Sequence, residues 1–399
     1  MSAYPSLSHQ PERNKRIVLV GPSYPYRGGN ALFMSYLYEA LAEQFDVHFL
    51  NYTLLYPSLL FPGTTQYDTS EAPVKVVPNE RVLSSINPLS WIRTARRINA
   101  IKPDLVVFDW WNPFFAPSHY AVSALLGSAY RGKILVIAEN FISHEARAVD
   151  TFLTRVGLAK ASCFLALSAI VERDLRSVAA GRPIYRSELP IFDAFASASQ
   201  TRQELSENEL HELKRSFGCA PDERVLLFFG YIRKYKGLDV LLNAMPAILR
   251  DHSKTRLLIA GEFYDDQAFY DKLIHDLGIG DAVTLIKGFI PNEKVKPLYD
   301  VADVLVQPYR SATQSGILNV AYGFGKPVIV TRVGGLEEFV EHGKTGFIVE
   351  PESPQAIAHA VKEFFERRNT TDFAAAIREK VRNNSFQRIA TVFERIMTA

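Results

Sequence analysis

Short aliphatic and β-branched runs alternate along this chain with longer stretches in which apolar positions return at helical spacing. Such alternation is the sequence form of β-α-β units and predicts parallel sheet covered by helices. Strands are expected at 16–20, 46–50, 104–108, 133–138 and 163–167, and a second series at 224–229, 256–260, 282–286, 304–306, 327–330 and 347–349. Between the two series, residues 192–209 are rich in Ala, Ser and Gln and read as a linker. The expected organisation is therefore an N-terminal domain over 1–200, a C-terminal domain over 201–384 and a terminal helix over 385–399. In that last segment Phe386, Ile389, Val392, Phe393 and Ile396 share a helical face, with Arg388, Glu394 and Arg395 between them, and it is expected to pack back on the first domain. Ligands of open parallel sheets sit beyond the carboxyl ends of the strands, so two facing sheets would share one long cleft.

Composition agrees with two domains, because 399 residues at 47% hydrophobic exceed one ordinary core. Lys+Arg 45 against Asp+Glu 43 leaves +2, which argues against nucleic acid as a partner. Cys163 and Cys219 are the only cysteines and allow neither a disulfide framework nor a thiolate metal cage, so a reducing cytoplasm is the expected compartment. The first sixteen residues lack the basic start and apolar core of a secretory signal. No apolar segment approaches the roughly 20 residues that span a bilayer, which leaves peripheral contact, at the inner face of the membrane, as the expected mode of any membrane association.

Three loops carry candidate chemistry. After the first strand, Gly28-Gly29-Asn30 precedes a helical pattern and reads either as a close approach of backbone to a ligand or as a tight turn. Gly230-Tyr231-Ile232-Arg233-Lys234-Tyr235-Lys236-Gly237 places cations between a buried strand and a helix start, suited to a diphosphate or else to a solvated basic turn. Pro308 to Asn319 is a polar loop running into a helix whose start at Ser315 or Gly316 would direct free amides at an anion; Ser315 equally suits an ordinary cap. Gly343-Lys344-Thr345 imitates the end of a P-loop, but Glu338 stands at the earlier glycine position and a strand follows at once. There is no Asp-x-Asp pair, and His144-Glu145 lacks a second histidine, so neither metal nor cofactor is expected.

Together these loops give the C-terminal half a resemblance to glycosyltransferase family 4. It rests on Gly230 with Lys236-Gly237, Ala260-Gly261-Glu262, Gly288-Phe289-Ile290-Pro291, Ala302-Asp303, Gly325-Lys326-Pro327-Val328, Gly334-Gly335-x-x-Glu338 and Gly343-x-Thr345-Gly346, in family order over residues 224–366. The resemblance implies an α/β protein of the GT-B type, with two facing Rossmann-like domains, no metal requirement and transfer with retention. Lys236 would hold the donor diphosphate with Arg233 beside it, since Tyr231 fills the place where the family commonly has arginine. Glu262 and the Gly28-Gly29 loop would belong to the donor site, the backbone near Phe289 would meet the base, and Gly316 and Ile317 would offer amides. Two glutamates of the family's donor loop are missing: the aligned positions are Ala312 and Val320, or Thr313 and Ala321. Thr313, Gln314 and Ser315 replace the first, and Asn319 is the candidate for the ribose.

On the acceptor side, Glu139 occupies the place of a histidine found in many relatives, and His144-Glu145 resembles a downstream pair in a subset. Both Glu139 and His144 are candidate catalytic residues, with Asn140 beside them; helix capping and surface hydrogen bonding are the alternatives. Trp110 and Trp111 in an aromatic run read as an acceptor platform or as core. Residues 91–101, with Arg93, Arg96 and Arg97, suit either an interfacial helix or a solvated face.

The expected function is transfer of a sugar from a nucleotide-diphosphate donor to a glycan, lipid-linked or small-molecule hydroxyl, in glycan or glycolipid biosynthesis. A nucleotide-sugar epimerase and a catalytically silent nucleotide-sugar-binding protein are the competing readings.

Overall fold

The computed structural model describes residues 15–61, 63–141, 148–192 and 205–398. Two parallel sheets organise it. In the N-terminal one, β1 (Arg16–Val20), β2 (Asp46–Leu54), β3 (Glu80–Ser84), β4 (Leu105–Trp110), β5 (Ile134–Ala138), β6 (Cys163–Ala166) and β7 (Ile184–Arg186) lie in the order β3-β2-β1-β4-β5-β6-β7. In the C-terminal one, β8 (Arg224–Phe229), β9 (Thr255–Gly261), β10 (Val283–Lys287), β11 (Val304–Gln307), β12 (Val328–Thr331) and β13 (Gly346–Val349) lie in the order β10-β9-β8-β11-β12-β13. Both orders reverse beside the first strand of their series, between β1 and β4 and between β8 and β11, and such switch points open a crevice at the carboxyl ends.

Central strands are continuous apolar runs because helices cover both faces. Ile17 to Val20 and Val225 to Leu227 are fully buried. Arg16 opens β1 and fixes its start: its amide donates to Asp104 Oδ2 at 2.8 Å and its Nε to Asp46 Oδ2 at 2.6 Å. The second domain begins on a capping box, in which Ser206 Oγ accepts from the Glu209 amide while the Glu209 side chain accepts from the Ser206 amide. Of the expected linker, residues 193–204 lie outside the described residues.

The terminal helix Phe386–Thr398 returns to the first domain and packs on the Gly29–Ala42 helix. Phe386 is 1% exposed, and its ring lies 5.7 Å from Phe33, 5.4 Å from Tyr36 and 5.9 Å from Phe192. One buried apolar cluster thus runs from Leu19 and Leu37 through Phe386 and Ile389 to Leu227 and Leu305. No helix among the described residues is long and apolar enough to cross a membrane.

Removing the Phe386 ring would open a cavity in this shared cluster. Phe386→Ala is expected to cost about 3–5 kcal/mol, read as a lowered unfolding midpoint and as faster amide exchange along Phe386–Thr398.

Candidate active site

The C-terminal wall of the cleft is built by loops that leave β8 and β11. The β8 loop passes through a short turn at Lys234–Lys236 into the Leu238–Asp251 helix, with Gly237 at φ 68°. A Cβ there would collide with Pro308 O, so only glycine lets the two loops touch backbone to backbone. Gly334, at φ 52°, does the same for the next stretch, because a Cβ would strike Ala312 O. These approaches hold the 312–317 loop beside Lys236.

Lys236 is 6% exposed, and no carboxylate pairs with it among the described residues. Its ammonium stands 5.4 Å from the centre of the Tyr309 ring and 5.9 Å from that of Tyr231. Burial, and then the charge of Arg233, pull its pKa down to about 7. The Gly316–Gly323 helix begins opposite, and its N-cap Ser315 makes no side-chain capping bond. Among the described residues the Gly316 and Ile317 amides have no backbone acceptor and stand at the positive end of the dipole, on residues that line the cleft, whereas the Leu318 amide donates to Ser315 O at 3.1 Å. The Oε1 of Gln314 is buried without a partner among the described residues.

The cleft has a volume of about 410 Å³ and takes residues from both domains. Gly28, Gly29 and Asn30 line one side; Lys236, Glu262, Phe289, Gln314, Ser315, Gly316 and Ile317 line the other. Arg233 is not among the residues lining this cleft; its guanidinium lies 4.8 Å from the Tyr264 ring. Thr313 is buried and its hydroxyl meets Asn140 Oδ1 across the domain boundary. Glu262 is committed to an ion pair with Arg27 at 2.6 Å.

Two expected contacts are overturned. Asn319 is fully buried and donates to Pro190 O at 3.0 Å, so it joins the helix to the N-terminal domain instead of reaching a ribose. Three residues beyond Gly316, it lies on the face that packs into the core. Trp110 is likewise fully buried, donating to Phe141 O at 3.4 Å, and is core rather than an acceptor platform. It ends a strand buried at every position. Trp111 is half-buried against Phe115, 4.2 Å between rings, and donates to Tyr56 Oη at 3.0 Å. His144 lies outside the described residues. In the Pro88–Ile101 helix, Arg93 and Arg96 face solvent and Arg97 pairs with Glu80 at 2.6 Å.

The N-terminal wall holds a carboxyl pair of which only Glu139 was anticipated. Glu139 is 8% exposed and accepts from the side chain of Asn30 at 2.7 Å. Asp109, fully buried at the end of the neighbouring β4, interacts with Glu139. Burial, and for Asp109 the adjacent Glu139 charge, push both above the usual carboxylate range. Neither Asp109 oxygen nor Glu139 Oε1 has another partner among the described residues. Both carboxyls therefore keep their protons to higher pH than exposed carboxylic acids would. A lone acid in the apolar run Leu105–Trp110 was the available signal; for Arg27 it was the adjoining Gly28-Gly29.

Among the described residues no group of three or more His, Cys, Asp or Glu is placed to hold a metal ion. Residues 211–385 match the family model described as Glycosyl transferases group 1. An uncharacterized glycosyltransferase of Methanocaldococcus jannaschii is 36% identical over 157 residues, covering 39% of this chain and 40% of that protein. A D-inositol 3-phosphate glycosyltransferase of Pseudarthrobacter chlorophenolicus is 32% identical over 184 residues, 45% of this chain and 43% of that one. The chain thus spans less than half the length of the curated relatives it matches. Sucrose-phosphate synthase from Thermosynechococcus elongatus superposes with TM-score 0.68 at 18% identity, over 96% of this chain and 98% of that one. Anabaena HepE in complex with UDP-glucose gives TM-score 0.70 at 16% identity, over 96% and 99%. At such identities the likeness is one of fold: two facing parallel-sheet, Rossmann-like domains of the GT-B kind.

Two measurements follow from the buried charges. An anion beside Lys236 would restore its proton, so above pH 7 binding takes one up. Pyrophosphate affinity is then expected to fall between pH 7 and 9 more steeply in the unmodified protein than in Lys236→Met, by up to about tenfold per pH unit; parallel curves would remove the ammonium from the site. For the carboxyl pair the sign is opposite in origin. A raised folded-state pKa means that the folded chain holds the proton longer, so stability falls as pH climbs from the usual carboxylate range toward neutrality. Glu139→Gln should flatten that slope in a pH series of thermal melts.

Proposed function

We propose, on the premise that residues 211–385 form a group 1 glycosyltransferase domain, that the protein moves a sugar from a nucleoside-diphosphate donor to a hydroxyl acceptor. The observation that carries this reading is the convergence of an unpaired, buried Lys236 with the open N-terminus of the Gly316–Gly323 helix. Both are positive, both are preorganised, and both are held by backbone contacts between the β8 and β11 loops. A field of that kind stabilises charge that appears on a departing diphosphate. Lys236 and the amides of Gly316 and Ile317 provide it without a metal ion, and Arg233 adds to it.

The donor would lie along the C-terminal wall, with its base toward Phe289 and its diphosphate at Lys236. HepE, of similar fold, has been solved with UDP-glucose, which supports a uridine nucleotide as the first donor to try. As the bond from the anomeric carbon to the diphosphate oxygen breaks, the bond to the acceptor oxygen forms. The leaving oxygen keeps the electron pair, and with retention the acceptor's proton passes to the diphosphate on the same face. The acceptor, a glycan, lipid-linked or small-molecule hydroxyl, approaches from the N-terminal wall. There the Glu139–Asp109 pair orients Asn30, whose side chain lines the cleft. Glu139 would thus act on the acceptor through Asn30.

Closure of the domains excludes water that would otherwise hydrolyse the donor. The test is transfer from a panel of nucleotide sugars, assayed in excess chelator with product stereochemistry followed. Lys236→Ala and Arg233→Ala are each expected to lower the rate about 10- to 1000-fold. Unchanged rates in both at limiting and saturating donor would overturn the phosphate assignment. Isomerisation of the donor alone, without transfer, would favour an epimerase.

A further inference from the structure

Arg27 is the residue through which the N-terminal domain enters the donor half of the cleft. Its side chain is 2% exposed, and its Nη2 pairs with Glu262 Oε2 at 2.6 Å, itself 7% exposed and on the opposite domain. The other oxygen of Glu262 accepts from the Thr64 amide at 2.7 Å. The single carboxylate is therefore used twice, and only one edge of the guanidinium is satisfied. Nε and Nη1 of Arg27 are buried with no partner among the described residues. Buried donors left in that condition are costly, and guanidinium donors especially so.

The guanidinium is also held in place. It lies 4.6 Å from the centre of the Phe289 ring and 5.6 Å from those of Tyr231 and Phe61. Tyr231 is shared, since the Lys236 ammonium stands 5.9 Å from the same ring. Tyr231 stacks on Tyr264 at 4.7 Å, and Arg233 caps Tyr264 at 4.8 Å. Three cations from two domains thus surround one pair of tyrosines, and among the described residues the carboxylate paired with any of them is Glu262. An excess of positive charge along a cleft calls for an anion with several oxygens.

We infer that Arg27 is a donor-binding residue, contributed by the N-terminal domain, whose Nε and Nη1 donate to phosphate oxygens of the nucleoside diphosphate. This rests on the transferase reading above and deepens it. Arg27 makes its phosphate contact only while the loop before Gly28 sits against the C-terminal domain. Glu262 has two effects: it orients the fork, and it competes with the donor for Arg27.

The test is calorimetric titration of the full chain with UDP, GDP, ADP and CDP, and with the matching nucleosides and pyrophosphate. Three variants are compared on whichever diphosphate binds. Arg27→Gln should weaken the diphosphate about 10- to 100-fold and leave the nucleoside unchanged. Arg27→Lys keeps a charge for Glu262 but lacks the fork, so it should lose most of that affinity too. Glu262→Gln frees the guanidinium and should bind the diphosphate at least as tightly as the unmodified chain, a direction no purely structural bridge predicts. Equal binding by Arg27→Lys and the unmodified chain overturns the inference, as does equal weakening by Arg27→Gln and Glu262→Gln. In both cases the transferase reading survives on Lys236. If the unmodified chain binds none of the four diphosphates, that reading and this one fall together. Weakening of pyrophosphate in step with the diphosphate places the contact on phosphate, whereas a loss confined to the complete nucleotide moves it to the base and refutes the assignment.

Discussion

A lysine ammonium withdrawn from water without a carboxylate is the constraint around which the C-terminal domain is arranged. Desolvating an isolated charge is costly enough that the group tends to give up its proton, and Lys236 has moved far toward that limit. The surrounding structure leaves it no escape. Gly237 presses the loop onto Pro308 O, Tyr231 and Tyr309 close over the side chain, and the 312–317 loop is held by Gly334. Flexible lysines on open loops would relax into solvent. Here the backbone contacts are made by glycines that admit no side chain, so the charge stays where a phosphate would meet it.

The N-terminal wall has the complementary economy of charge. Two carboxyls occupy adjacent strand ends, but burial raises both pKa values and so keeps the pair from carrying two charges near neutrality, and Asn30 donates to Glu139 from the cleft. The N-terminal wall is therefore polar and close to neutral, while the C-terminal wall at Lys236 is positive. That polarity is set by strand order: β4 and β5 bring Asp109 and Glu139 together, and β8 and β11 bring Lys236 and Ser315 together. Neither pair is close in sequence.

Central strands were legible because burial on both faces leaves an unbroken apolar run, as in β1, β4 and β8. The edge strands β3 and β7 were not. Glu80 and Arg81 open β3 exposed, and β7 is three residues long and only partly buried, so neither produces the run by which a strand is recognised. The site divides along a similar line. Lys236 and Gly316 stood out by the local chemistry of their loops, and Phe289 by the family resemblance alone. Arg27 and Asp109 owe their roles to partners 235 and 30 residues away, Glu262 and Glu139, which no local pattern contains. Trp110 and Asn319 erred in the other direction. Their side-chain types suit ligands, yet the direction in which strand and helix point them is into the core.

Closure ties these parts into one device. Among the contacts between the domains are an apolar one at Phe386, a polar one from Thr313 to Asn140, and an ionic one from Arg27 to Glu262. The first depends on buried apolar area. The other two sit on cleft-lining or immediately adjacent residues. The apolar contact draws on surface removed from water, whereas the ionic one draws on charge, so the two respond differently to salt and to pH.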